Sequence, residues 1–163
     1  KQIYAPVGGR VLGIEFEFLS VKCTLYNIYA PNVEVERRAL FETLGPLCKE
    51  HCIMVGDINV WCDQMYTTVS SHFRWDESRT TLLNVMATKG LVDVWRERNP
   101  GKREYSRQQV VMGKMRQSRI DLCHATRETT RNLKKCWHGV WNRYGRRKKG
   151  ILPKDSRSCD KMV

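Results

Sequence analysis

The sequence predicts a mixed α/β fold, and three observations carry that prediction. Residues 21–29 read as a strand rich in β-branched and aromatic side chains. Leu40, Phe41, Leu44, Leu47 and Cys48 recur at helical spacing and make one apolar stripe. Ile53, Met54 and Val55 form a short apolar run that stops on Gly56-Asp57-Ile58-Asn59, as a buried strand does where it reaches the edge of a sheet. Strand, helix and strand in that order make a βαβ unit, in which the two strands run parallel and the crossover is right-handed.

The remaining elements follow along the chain. Residues 11–18 alternate imperfectly and read as a strand joined to residues 21–29 by a hairpin at Ser20. Pro31 keeps Ala30 extended and lacks a donor, which ends the second strand. Asn32 is placed to cap the helix, with Glu34 and Glu36 favourable for its dipole, and Gly45-Pro46 should kink its last turns. Residues 61–75 lack a period and read as a loop. Ser78 is placed to cap a second helix with Leu82, Leu83, Val85 and Met86 on its core face and Gly90 just past its end. A short apolar segment covers 91–95, with Leu91 and Trp95 read as core. A turn follows at Asn99-Pro100-Gly101, then a brief strand at 104–106 and a last strand at 118–123. After Thr126 the hydrophobic pattern breaks down, and no internal repeat is visible.

Composition narrows the class. At 163 residues the chain is one domain or a large piece of one, and 41% apolar content suits a packed core. It holds no run of 18 apolar residues and no secretory signal, which argues against a membrane span and export. Its seven cysteines fit no disulfide framework and no zinc ribbon, so they read as reduced thiols of an intracellular protein, nuclear or cytoplasmic. The net charge of +12 is unevenly spread: residues 1–126 hold 17 Lys+Arg against 14 Asp+Glu, and residues 127–163 hold 12 against 3. The body is nearly balanced and the tail is polybasic. Such a tail suits nucleic acid or another polyanion, and equally a solvated end that binds nothing in particular.

Side chains alternate along a strand, so Asp57 and Asn59 share one face at its carboxyl end. A strand followed by an Asx turn gives that pattern, and so does a small polar site. Tyr29 closes the preceding strand of the βαβ unit. Parallel strands put their carboxyl ends on one edge, where α/β proteins build their sites, so a phenol, a carboxylate and an amide can converge there. Gly56 allows the backbone to pass close to another group.

Four segments stand in order: Tyr29-Ala30-Pro31-Asn32, Gly56-Asp57-Ile58-Asn59, Gly90-Leu91-Val92-Asp93-Val94-Trp95-Arg96 and Ser118-Arg119-Ile120-Asp121. With these the chain resembles the endonuclease/exonuclease/phosphatase family, and within it the endonuclease domain of non-LTR (LINE-class) retrotransposons. The resemblance covers roughly residues 8–125. It implies an incomplete four-layer α/β/β/α sandwich of two packed sheets with outer helices. It also implies hydrolysis of a phosphodiester with a divalent metal, magnesium in this family. Carried over, Tyr29 would hydrogen-bond the scissile phosphate, Asp57 would align and deprotonate the attacking water, and Asn59 would help stabilise the charge developing on phosphorus. Asp121 would orient a catalytic histidine. Such chemistry needs a positioned water, a base, and donors or cations where negative charge grows.

Two parts of the family pattern lack a counterpart. The upstream metal-binding Glu has none, because Glu15 and Glu17 fall inside the first predicted strand. The Ser-Asp-His motif has none either: His124 falls on the face opposite Asp121, and His138 has no Asp before it. The expected organisation is a partial nuclease domain over 1–126 and a basic, disordered tail over 127–163. Within the tail, Arg146, Arg147, Lys148 and Lys149 resemble a nuclear-localisation or phosphate-binding patch. The expected function is that of a fragment of a target-DNA endonuclease, inactive as this chain. The alternative is a non-enzymatic remnant that binds DNA or RNA through the basic tail.

Overall fold

The computed structural model describes residues 2–18, 20–68 and 75–132. Eight strands and four helices follow one another in these residues: β1 (Gln2–Val7), β2 (Val11–Phe18), β3 (Val21–Tyr29), α1 (Glu34–Leu47), β4 (Cys52–Asp57), α2 (Glu77–Thr88), β5 (Leu91–Asp93), α3 (Val94–Arg98), β6 (Arg107–Val111), β7 (Lys114–Ser118), β8 (Asp121–Thr126) and α4 (Arg127–Asn132). Six strands form one sheet in the order β1-β2-β3-β4-β8-β5, and β6 and β7 form a second, two-stranded sheet. The predicted βαβ unit is present: β3 and β4 pair in parallel with α1 between them, and the other pairs are antiparallel.

The core lies between one face of the large sheet and the two long helices. Tyr26 and Ile28 of β3, Cys52 and Met54 of β4 and Leu122 of β8 pack with Leu40, Phe41 and Leu44 of α1 and Leu82 of α2. Alternation sends the intervening residues to the other face. There the register runs Ile3, Ile14, Leu25, Ile53, Ala125 and Val92 across all six strands, a continuous apolar row. Exposure along that face rises toward the β1–β2 edge: Ile53 and Ala125 are buried, whereas Ile3 is 61% and Leu12 41% exposed.

Several boundaries differ from expectation. β1 was not anticipated, because Tyr4, Ala5 and Pro6 give no clean period; Tyr4 is held by a hydroxyl contact with Tyr26 at 2.9 Å. The first helix is capped by Val33 with no side-chain bond rather than by Asn32, and it runs through Pro46 to Leu47. Arg37, not a cap, closes that end: buried, it donates to the carbonyls of Pro31 and Asn32, to Ser78 Oγ and to Asp76. Asp76 rather than Ser78 caps α2, accepting from the Arg79 amide at 3.0 Å, and Ser78 sits buried inside the first turn. Residues 104–106 are not a strand. The polar run after them forms the β6–β7 hairpin, which few buried side chains announce, and the last strand of the large sheet begins at Asp121 rather than Ser118. α4 continues six residues past the break in hydrophobic pattern. The predicted loop at 61–75 contains a turn of 3-10 helix, Gln64–Tyr66.

Gly56 decides how closely β3 and β4 approach. Its φ is +133°, and a Cβ there would lie 2.0 Å from the backbone oxygen of Ile28, its register partner. No rotamer relieves a clash with backbone, so any side chain must push the strands apart. Gly56→Ala is therefore expected to cost on the order of 3 kcal/mol or more, a large share of an ordinary domain's stability. Denaturant unfolding of the two proteins checks this: a midpoint unchanged in Gly56→Ala would contradict the packing described.

Candidate functional site

The register gathers the predicted residues. Tyr29 pairs with Asp57 across β3–β4, and Asp57 pairs with Asp121 across β4–β8. Directly paired residues point to the same face, so the phenol and the two carboxylates form one row across three neighbouring strands. The row sits at the carboxyl ends of the parallel pair, and antiparallel β8 reaches the same edge with its first residue. Asn59 lies two residues past Asp57 with φ +52°, its amide donating to Asp57 Oδ1 at 3.0 Å and its Nδ2 to the Ala30 carbonyl at 2.7 Å. The Asx turn and the polar cluster are thus one structure. One N–H of the Asn59 amide is already committed to holding the end of β3, which leaves the other for a ligand. Tyr29 is 53% exposed, and Asp57, Asn59 and Asp121 are half-buried.

The start of β8 is pinned from several sides. Ser106 Oγ accepts from the amides of Ile120 and Asp121, both at 3.1 Å, and the Ile58 amide donates to the Ile120 carbonyl at 2.8 Å. The Arg119 amide donates to the Tyr66 carbonyl at 2.8 Å, and its buried guanidinium stacks between the rings of Tyr66 and Trp95. That guanidinium also pairs with the buried carboxylate of Asp93. Asp93 in turn caps α3 through the amides of Trp95 and Arg96 and accepts from the Tyr66 hydroxyl at 2.6 Å. Burial alone would raise the Asp93 carboxyl, but Arg119, His124, Tyr66 and the Arg96 amide hold it below its usual value. Sequence reasoning took Leu91 and Trp95 as core, which both are. It did not see this network, because only the fold brings residues 66, 93 and 119 together.

Beside the row opens a cleft of about 570 Å³. Asn59 lines it, so row and cleft adjoin. Its walls carry Trp61, Trp75, Arg79, Arg107 and Arg116, with Gln109 and Gln117 from the β6–β7 hairpin. Glu34 and Asp76 are its acidic members, and Asp76 is paired with Arg37. Trp75 is 79% exposed at the cleft. Arg79 donates to the Trp61 carbonyl at 2.6 Å, and Arg96 donates to the carbonyls of Asn99, Pro100 and Lys102.

The other candidates fall elsewhere. Glu15 pairs with Thr24, on the face opposite Tyr29. His124 pairs with Met54 under the helices, 0% exposed, and neither ring nitrogen has a hydrogen-bond partner among the described residues. His138 and the Arg146, Arg147, Lys148 and Lys149 patch lie outside the described residues. The oxygen donors of the row suit a hard cation such as magnesium in kind. They do not suffice in number: among the described residues no three His, Cys, Asp or Glu side chains gather as a metal site. Among the same residues no helix is long and apolar enough to cross a membrane.

No family model matches the chain. Over 120 residues it is 33% identical to the "Transposon TX1 uncharacterized 149 kDa protein" of Xenopus laevis, a match covering 71% of this chain and 9% of that protein. Among solved structures it is similar to the endonuclease domain of TRAS1, a telomere-specific non-LTR retrotransposon (TM-score 0.53, 19% identity, 72% of this chain and 50% of that one). It is similar also to the AP endonuclease LMAP from Leishmania major (TM-score 0.61, 18% identity, 76% and 47%). A third is D. rerio TDP2 complexed with single-strand DNA product (TM-score 0.50, 16% identity, 77% and 51%). The chain carries the endonuclease/exonuclease/phosphatase fold. It spans about half the length of those solved chains and under a tenth of the transposon protein.

His124 gives this fold a testable pH dependence. Burial lowers its pKa to about 4 from 6.5, with Arg119 acting the same way and Asp93 opposing. In the unfolded chain the imidazole takes a proton near its ordinary value, so below that pH the unfolded state binds more protons and stability falls. The loss should run from about pH 6.5 down to about 4 and be absent above. His124→Leu removes the unpartnered nitrogens at similar size, so it should be neutral or stabilising at pH 7 and flatten that part of the profile. Denaturant midpoints across pH 4 to 8 decide this; equal slopes in both proteins would contradict it.

Proposed function

We propose that this chain carries the phosphate-binding and water-positioning half of a divalent-metal-dependent DNA endonuclease of retrotransposon type. As this chain it binds DNA without hydrolysing it at a useful rate. The observation that supports this is the row of Tyr29, Asp57 and Asp121 beside a cleft lined by four arginines and two tryptophans. In this reading Tyr29 donates its hydroxyl to a phosphate oxygen. Asp57, oriented by the Asn59 amide, holds a water and accepts its proton. The remaining N–H of Asn59 donates to the phosphate as charge builds, and Asp121 orients a cationic or protonated group brought to it. The arginines of the cleft neutralise neighbouring phosphates and the tryptophans offer stacking surfaces to bases.

The metal would supply charge neutralisation at phosphorus. The described residues do not make its site, so no step is assigned to it. Losing one well-placed electrostatic group typically costs about 100- to 1,000-fold in rate, and groups acting as a unit cost more together than one alone. Supercoiled plasmid incubated with magnesium, wild type beside Asp57→Ala, is the test. Indistinguishable and negligible nicking by both is expected. Nicking by the wild type that Asp57→Ala abolishes would overturn the inactive reading and leave the site assignment standing.

The charge of the sequence favours a second reading, in which residues 127–163 bind DNA or RNA without catalysis. They hold 12 Lys+Arg against 3 Asp+Glu. Each phosphate contact releases a counterion, so affinity should fall steeply with salt. Removing residues 133–163 should then abolish most binding at low salt and flatten the salt dependence. Unchanged affinity and slope would leave the cleft as the binding surface.

A further inference from the structure

Three sulfur atoms meet in the core, at the end of β4 away from the carboxylate row. Cys48 follows the last turn of α1, Cys52 opens β4, and Met54 lies two residues further on, on the same face of the sheet. The Cys48 thiol donates to the Met54 thioether at 3.6 Å, and the Cys52 thiol is its other hydrogen-bond neighbour. All three residues are shut off from solvent, at 3%, 0% and 0% exposure. Their backbone is held as well. The Cys48 amide donates to the Leu44 carbonyl at 3.1 Å, and Cys52 and Met54 pair with Thr24 and Tyr26 of β3. Lys89, just past the end of α2, lies near enough for its ammonium to favour the thiolate of both cysteines.

We infer that Cys48, Cys52 and Met54 form a binding site for a soft monovalent metal ion, copper(I), with three sulfur ligands. The site stands apart from the carboxylate row, and its occupancy does not depend on whether the chain binds DNA. Core packing asks only for volume, which leucine or valine would fill. The S–H contacts instead set the sulfur atoms, not the methylenes, against one another. Thiolates and a thioether together select soft ions, whereas magnesium demands oxygen ligands. Zinc in a closed site takes four ligands, and among the described residues no third His, Cys, Asp or Glu side chain joins the two cysteines. Copper(I) is satisfied by three sulfurs. Its binding releases the two thiol protons to solvent and leaves two thiolates around one monovalent cation, a single net negative charge that the Lys89 ammonium offsets. The turn at 49–51 joins the two cysteines, with Lys49 and Glu50 exposed and His51 at φ +53°. Opening that turn uncovers the sulfurs without separating β3 from β4.

The experiment uses the full chain, reduced and under anaerobic conditions, with copper(I) as the probe and a colorimetric copper(I) chelator as competitor. Wild type is expected to hold one copper(I) against the chelator and to unfold at higher urea as free copper(I) rises, because the metal binds the folded state. Copper X-ray absorption should show three sulfur neighbours. Met54→Leu keeps the volume and removes only the thioether. It should show two sulfur neighbours and bind copper(I) about 10- to 100-fold more weakly. Cys52→Ala should lose the copper-dependent shift in unfolding, and Cys136→Ser combined with Cys159→Ser should keep it. A wild-type midpoint that copper(I) leaves unchanged or lowers would place the metal on thiols of the unfolded chain and overturn the site. Met54→Leu with wild-type affinity and an unchanged sulfur count would overturn it too. The wild-type titration and absorption spectrum need no variant to fold.

Discussion

The structure depends on the backbone contact between Gly56 and Ile28. With no Cβ at position 56, β4 can lie against β3 in a register that sets Asp57 beside Tyr29. The whole row follows from that register, because a shift of one residue would send each of these side chains to the other face. Apolar content would tolerate other pairings of β3 and β4; the polar edge would not. Asn59 then ties the exit of β4 to the end of β3 through the Ala30 carbonyl, so the contact is locked at the edge where it matters.

A second constraint brings in β8. Its polar first residue has no apolar side chain to anchor it, and the fold anchors it through what precedes it. Arg119 is buried between Tyr66 and Trp95 and paired with Asp93. A buried ion pair is a poor source of net stability, but it fixes geometry, since removing either partner leaves an uncompensated charge. Here the pair fixes the position of Ile120 and Asp121, and through β7 and the 3-10 turn it fixes the wall of the arginine-lined cleft. Site and cleft are therefore positioned by one buried network, which explains why a polar hairpin with few buried side chains has a defined place beside the sheet.

Much of this was legible in the sequence. The βαβ unit was, because its three segments each have a clean period and Pro31 and Gly56 punctuate them. The convergence of Tyr29, Asp57 and Asn59 followed from parallel pairing and alternation, and the placement of His124 on the face opposite Asp121 followed from alternation alone. What escaped was set by distant partners. Asn32 and Ser78 satisfy capping chemistry locally, yet Arg37 closes one helix end and Asp76 the other, since both belong to an ion pair between residues 39 apart in sequence. β1 and the β6–β7 hairpin lack apolar alternation, so only pairing defines them.

The proposed function rests on a phosphate bound beside Tyr29 and Asp57 at one edge of the sheet. A crystal structure of the full chain with a short DNA duplex tests that most directly. The expected result is a phosphodiester within hydrogen-bond distance of the Tyr29 hydroxyl, with the flanking strand running into the arginine-lined cleft. DNA held only by the basic segment after residue 132, with the row empty of phosphate, would contradict it.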